Sequence, residues 1–440
     1  MDVISIRGNG PLRGTVSAAG SKNASLLAMA ASIMADGPIA LGGVPDVTDV
    51  STLALLLGYL GVETKRSADG VVRLQTVDPS QVTADVETVS RMRASFCVLG
   101  PLVARRGRAA VALPGGCRIG SRPIDLHLQG LAALGANIRF EHGTVIAEAK
   151  KLHGVEMNLS GLNGPTVTGT ANVLMAATLA SGETILRGAA REPEIVDLCE
   201  FLNSIGARIE GAGGSTIRIR GVEQLSGGTY QVIPDRMETG TLLLAAAITG
   251  GDVTVRGARP EHLEALLAVL DDAGVMLDTG PNWIRAAIAD RPLPFQFTAL
   301  PYPGVPTDLQ AQCTALATLA EGRSTIADQV FPDRFAHLAE LSKLGACVDR
   351  CGSTAIIDGV HRLQGDVLQA SDLRAAAALV LAGLVAHDVT TIRRAHHLFR
   401  GYDRLIEKLN SLGADVVLNP NESEAERRSQ RRFSASQVAA

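Results

Sequence analysis

The apolar positions of this chain recur in blocks. Six stretches are apolar on nearly every turn: ASLLAMAASIMADG from Ala24, ASFCVLGPLVARRG from Ala94, ANVLMAATLASG from Ala171, TGTLLLAAAITGG from Thr239, LQAQCTALATLAEG from Leu309 and LRAAAALVLAGLVAHD from Leu373. A helix that is apolar around its circumference is buried on most sides. After each block comes a short strand pattern: PIALGG, AAVALPGG, ETILRG, DVTVRG, STIADQ or VTTIRR. An amphipathic helix follows, and it runs into a glycine phrase: LGVET, LGANI, IGARI, AGVML, LGACV or LGADV. Glycine at a helix end takes the left-handed conformation and turns the chain into a strand. The phrase glycines, Gly61, Gly135, Gly206, Gly274, Gly345 and Gly413, lie 74, 71, 68, 71 and 68 residues apart. Such spacing marks six modules, each reading β-α-β-α-β-β. Buried helices with sheets outside them predict an α/β, inside-out architecture, most simply two domains of three modules around a cleft. A solenoid of six modules is the competing arrangement.

Composition narrows this picture. The 440 residues are 46% hydrophobic and 3% aromatic, so the cores must be aliphatic. A formal net charge of −4 gives no global basic field for nucleic acid. The longest strictly apolar run, Ala375–Ala386, is shorter than the roughly 20 residues that a membrane helix takes. No zinc-type spacing links the six cysteines, and Cys347 and Cys351 read as structural thiols. Free thiols and no leader-like segment predict the cytoplasm. No metal or cofactor is implied. The polar, charged stretch 419–440 predicts a disordered tail.

Candidate chemistry sits at the helix starts. The six apolar helices begin at Lys22 and Asn23; at Arg93; at Thr166, Thr168 and Asn172; at Asp235 and Glu238; at Asp308; and at Asp372 and Arg374. The amphipathic helices are preceded by Cys117 and Arg122, then by Arg191, Arg259, Arg334 and Arg400. Equivalent positions in a repeat converge on one end of a domain. Helix N-termini carry free N–H groups and about half a positive charge, and arginine adds a bidentate fork. A cleft for a ligand with several anionic groups is the expectation. Any single arginine here could equally be an ion-pair residue, and Asp308 in PTDLQ could be a helix N-cap. His127, His396 and His397 lack ligand spacing. The stretch LPGGCRIGSRP, from Leu113, is a longer loop than its counterparts, with glycines to let it move and two arginines beside a thiol. It reads as a lid bearing a reactive Cys117.

GSKNASLLAMAASIMADGPIALGGVPDVTDV, MRASFCVLGPLVARRG, LPGGCRIGSRPIDLHLQGLAALGA, REPEIVDL, PDRMETGT, PTDLQAQ and SDLRAAAALVLAG resemble the UDP-N-acetylglucosamine 1-carboxyvinyltransferases of the EPSP synthase superfamily, collinearly from about residue 3 to 418. The resemblance implies two domains of three βαβαββ units: 21–233 with the Cys117 loop, and 1–20 together with 234–418. It implies transfer of enolpyruvate from phosphoenolpyruvate to UDP-N-acetylglucosamine in peptidoglycan synthesis, and attack of fosfomycin on Cys117. By that likeness Lys22, Asn23, Arg122 and Arg400 hold phosphoenolpyruvate. Arg93, Arg122, Pro123, Ile124, Asp125, Leu126, Thr166, Val167, Asp308 and Val330 contact the nucleotide sugar. Cys117, Asp308 and Lys22 are the catalytic positions, and Arg334 and Arg374 support binding and closure. The expected partners are these two small molecules, with no nucleic acid and no membrane, in a monomer or weak homo-oligomer. Three departures stand out, the first being Arg118, in a place usually held by a small residue. GPTVTGTAN lacks the lysine that often precedes a Ser-Val-Gly stretch in the family, and Phe399 stands where Asp usually precedes Arg-Gly-Tyr.

Overall fold

The computed structural model describes residues 2–115, 123–161 and 164–419. Its six core helices are Lys22–Ala31, Leu99–Arg106, Val167–Ala177, Arg236–Ile248, Thr307–Ala317 and Leu373–Gly383. Every residue of Arg236–Ile248 and of Leu373–Gly383 is buried. In the second half of the chain the three core helices touch one another pairwise. Small residues permit that approach. A Cβ on Gly240 would stand 2.6 Å from the Leu309 side chain.

Among the described residues, six four-stranded sheets surround these helices, all with one pairing pattern. The strand that follows a core helix takes a parallel neighbour on one side and an antiparallel pair of strands on the other. Thr83–Ala84, Arg108–Ala112, Thr144–Glu148 and Asn137–Glu141 are one example. Three sheets borrow strands from far along the chain. Gly228–Gln231 pairs with Ile39–Gly42. Arg13–Ser17 pairs with Asp252–Arg256. Val3–Arg7 lies between Val389–Arg393 and Asp415–Asn419. The six outer helices each end at a phrase glycine, and all six of those glycines have φ between 73° and 110°.

Buried apolar residues form two clusters. One draws on Ala24 to Ile233, the other on Ile4 to Val16 together with Met237 to Val416. The chain passes between them twice, and the two passages pair with each other. Ser21 N–H donates to Ile233 O at 2.7 Å, and Asp235 N–H donates to Ala19 O at 2.8 Å. Gly20, at the crossing, has no room for a side chain, because a Cβ there would be 1.6 Å from Gly43 O.

Three expectations need correction. The second core block is not one helix. It begins as a 3-10 turn, Arg93–Val98, and becomes α-helical only at Leu99. Pro101 is the cause: it lacks an N–H and crowds the carbonyl four residues back, so it is tolerated only in the first turn. Asn172 serves the break, accepting from Gly100 N–H at 2.5 Å and donating to Phe96 O at 3.0 Å. Asn419, placed in the tail by composition, is the last residue of a strand and pairs with Val3. Cys347 and Cys351 are exposed on the edge strand Cys347–Cys351, not packed in a core.

Candidate active site

The site begins where the chain crosses between the cores. Asp235 caps two helices at once. Its Oδ1 accepts from Met237 N–H and Glu238 N–H, and its Oδ2 accepts from Lys22 N–H at 3.0 Å. The starts of the first and fourth core helices are thereby tied together. Lys22 projects from that start, and its Nζ donates to Asp49 Oδ2 at 3.3 Å. Arg400, at the end of the 3-10 turn Ala395–Arg400, comes from the other core and donates through Nε to Asp49 Oδ1 at 3.0 Å. Two of the expected anion ligands thus meet on one carboxylate. Asn23 follows Lys22 in the first turn of the same helix, half-buried.

The second group is built around Asp308, the second residue of its helix. Its N-cap is Pro306, so the N-cap reading of Asp308 fails. The side chain turns outward to two guanidiniums. Oδ1 accepts from Arg334 Nη1 at 2.7 Å, and Oδ2 accepts from Arg374 Nη2 at 2.8 Å. Burial would raise the Asp308 pKa, but the two arginines outweigh it and hold the carboxyl well below its usual range. Each arginine is held in turn. Arg374 lies over the Tyr402 ring, 5.3 Å from its centre, and Tyr402 is anchored through its hydroxyl to Thr241 and Gln312. Arg334 also reaches Thr307 Oγ1, which donates to Asp328. Asp328 Oδ1 accepts from Val330 N–H at 2.9 Å, which fixes Val330 beside this group. The Asp308 charge acts on Arg236, and that of Asp235 on Arg374, so the two groups share one neighbourhood.

The third group belongs to the first core. Arg93 donates to Pro123 O at 3.2 Å, joining the second core block to the stretch that leads through Ile124 into the helix Asp125–Ala133. Asp125 and Leu126 open that helix. Thr166 caps the neighbouring core helix by accepting from Gly169 N–H, and Val167 is that helix's first residue. Buried His127 fastens the two helix starts, with Nδ1 on Asn172 and Nε2 on Thr168 Oγ1. Asn172 Oδ1 is occupied as an acceptor, so its amide donates to Nδ1 and the imidazole proton sits on Nε2. The Thr166 and Thr168 hydroxyls are therefore both engaged in holding the fold. Cys117 and Arg122, with the rest of the loop 116–122, lie outside the described residues. Asp49, Asp328 and the double cap by Asp235 were not singled out from sequence. Their signal was slight: a first-turn acid, a strand-end acid and a helix N-cap, beside no distinctive neighbour.

Comparisons with known proteins place this geometry in context. The sequence profile of the EPSP synthase (3-phosphoshikimate 1-carboxyvinyltransferase) family matches residues 6–409. A UDP-N-acetylglucosamine 1-carboxyvinyltransferase of Geobacter metallireducens is 49% identical over 416 residues, 94% of this chain and 99% of that protein. The crystal structure of the enolpyruvyl transferase NikO from Streptomyces tendae superposes with a TM-score of 0.86 at 27% identity, over 95% of this chain and 99% of that one. An EPSP synthase from Acinetobacter baumannii shares the fold, with a TM-score of 0.73 at 20% identity over 96% of this chain and 100% of its own.

Proposed function

The chain belongs to the EPSP synthase family, and within it to the UDP-N-acetylglucosamine 1-carboxyvinyltransferases, and from that premise we propose how its residues perform the reaction. The enzyme transfers the enolpyruvyl group of phosphoenolpyruvate to the 3′-hydroxyl of UDP-N-acetylglucosamine and releases phosphate. The hydroxyl oxygen bonds to C2 of phosphoenolpyruvate while C3 takes a proton. The resulting tetrahedral ketal loses a C3 proton and expels phosphate, leaving an enol ether.

The observation that carries this reading is the meeting of Lys22 and Arg400, from opposite cores, on Asp49, together with a second acid, Asp308, gripped by Arg334 and Arg374. Fixed cations suit a phosphate-bearing ketal, because charge placed in advance is often the largest catalytic contribution. Lys22, Asn23, Arg122 and Arg400 bind phosphoenolpyruvate. Arg93, Pro123–Leu126, Thr166, Val167 and Val330 flank the nucleotide sugar. Asp308 is ionised, which suits it to accept the 3′-hydroxyl proton and not to donate one, and the two arginines that hold it also weaken it as a base. Protonation of C3 therefore falls to Cys117 on the lid loop. The two cores act as two hinged domains, 21–233 and 1–20 with 234–418. The reaction supplies a peptidoglycan precursor in the cytoplasm, and fosfomycin attaches to Cys117.

A phosphate-release assay with phosphoenolpyruvate and a panel of UDP-sugars and free nucleotides tests the reading. Release that depends on UDP-N-acetylglucosamine is expected. Release only with another nucleotide would favour a second reading, an enolpyruvyl transferase with a different acceptor. The cation-free start of the Val167–Ala177 helix is the feature that favours it.

A further inference from the structure

All six outer helices carry an acidic residue in the first turn: Asp49, Asp125, Glu194, Glu264, Glu340 and Glu407. An acid there complements the helix dipole, so its presence alone is ordinary. Asp49 and Glu194 are the two that are buried, each about 4% exposed. Each pairs with an arginine from the other core, but the two pairs differ in kind. Glu194 and Arg236 form a closed bidentate pair, Nε to Oε1 at 3.0 Å and Nη2 to Oε2 at 3.1 Å, and each partner is less than a tenth exposed. Asp49 instead divides its oxygens between two cations on two cores. Oδ1 meets Arg400 Nε, while Oδ2 meets Lys22 Nζ at 3.3 Å and Arg400 Nη2 at 3.5 Å. Lys22 and Arg400 are also the two described cations assigned to phosphoenolpyruvate.

We infer that Asp49 is the positioning residue of this anion site, an internal counter-ion that draws Arg400 onto Lys22 and that a phosphate must displace or outcompete. The inference rests on the proposed function only for the identity of the natural anion. The physics is local. Two cations brought together repel unless an anion lies between them, and their attraction for an outside anion is reduced by the one already there. Asp49 thereby keeps the pair assembled while limiting how tightly phosphate is held. A site that must release phosphate in each cycle needs that limit.

The test is calorimetric titration of the full chain with inorganic phosphate. Asp49→Asn, which keeps shape and removes charge, should tighten phosphate binding by at least about tenfold. Asp49→Glu should return affinity to near wild type, and Glu194→Gln, the closed pair, should leave it unchanged. In turnover, Asp49→Asn should show stronger product inhibition by phosphate and a lower KM for phosphoenolpyruvate, with kcat reduced. A merely structural role would weaken binding or stability and could not produce a gain in anion affinity. Phosphate binding that is unchanged or weaker in Asp49→Asn overturns the inference, as does an equal gain in Glu194→Gln. Asp49→Ser, read by the same criteria, serves if the asparagine variant does not fold. Phosphate titrations that behave as stated in a chain with no UDP-N-acetylglucosamine-dependent turnover would refute the proposed reaction and leave this inference standing.

Discussion

Asp308 shows how neighbours set the chemistry of one side chain. With Arg334 and Arg374 on its two oxygens, it stays ionised through the working pH range. Arg374→Gln removes one of those charges, so the Asp308 pKa should rise and the acid limb of the kcat–pH profile should move to higher pH. An unmoved limb would mean that Asp308 does not titrate in the rate. Asp308→Asn should lower turnover by about 10²–10⁴, the usual range for a lost proton-transfer group. It should also cost roughly 3–5 kcal/mol in a urea titration, because two buried arginines lose a partner. Glu238 is the opposite case. Burial pushes it up to about 7 from an ordinary 4.5, although Lys408 and the Ala19 N–H pull it back. The native state keeps this proton where the unfolded chain has lost it, so stability from this group falls as pH rises from about 4.5 to 7 and is level above. Glu238→Gln should flatten that slope, which urea midpoints at several pH values would reveal. At this scale the sequence was legible at the helix starts, where Lys22 and Asp308 differ from their counterparts and Arg400 is one of a recurring set of arginines. Asp49 was not legible, because a first-turn acid is what every outer helix has.

Among the elements, the core helices and their glycine-ended partners were readable from apolar periodicity alone. What periodicity could not convey was the break at Pro101, since an apolar block looks the same whether its first turns are 3-10 or α. The repair comes from Asn172, far along the chain, and no local signal announces it. Asn172→Ala removes the acceptor of the Gly100 N–H and the amide that donates to Phe96 O and to His127 Nδ1, with Phe96 O keeping the Leu99 N–H. It should cost about 2–4 kcal/mol, from buried groups left unpaired at about 1–3 kcal/mol each. A urea midpoint close to wild type would contradict that account. The cysteines divide by element too. Cys97, Cys199 and Cys313 lie in buried helical segments, and burial pushes the Cys199 thiol up to about 12 and Cys313 higher still. Cys347 and Cys351 are exposed on an edge strand. Brief alkylation should therefore label Cys347, Cys351 and Cys117 and spare the other three. UDP-N-acetylglucosamine should alter labelling at Cys117 alone. Peptide mass spectrometry reads this directly, and a nucleotide effect on Cys347 or Cys351 would argue against a lid at Cys117.

For the whole molecule, the count of modules could be read from glycine spacing, but the closure of the sheets could not. Nothing in the pattern of residues 3–17 says that their strand partners lie in the second half of the chain. The two cores meet through paired passages at Gly20 and Pro234 and through cross-core ion pairs such as Asp49–Arg400 and Glu194–Arg236. If they hinge there, saturating UDP-N-acetylglucosamine should reduce the radius of gyration in small-angle scattering, and an unchanged radius would count against hinging. The borrowed strands also have a consequence on the ribosome. Val3–Arg7 leaves the exit tunnel well before its neighbours Val389–Arg393 and Asp415–Asn419 are translated. At about 5–20 residues per second, the leading strand waits roughly 20–80 s for them. The core built from Ala24 to Ile233 has all its strands much earlier and can settle while synthesis continues. The newborn chain would then carry one finished half beside an unpaired, β-prone strand, and that strand is what a nascent-chain chaperone would have reason to hold.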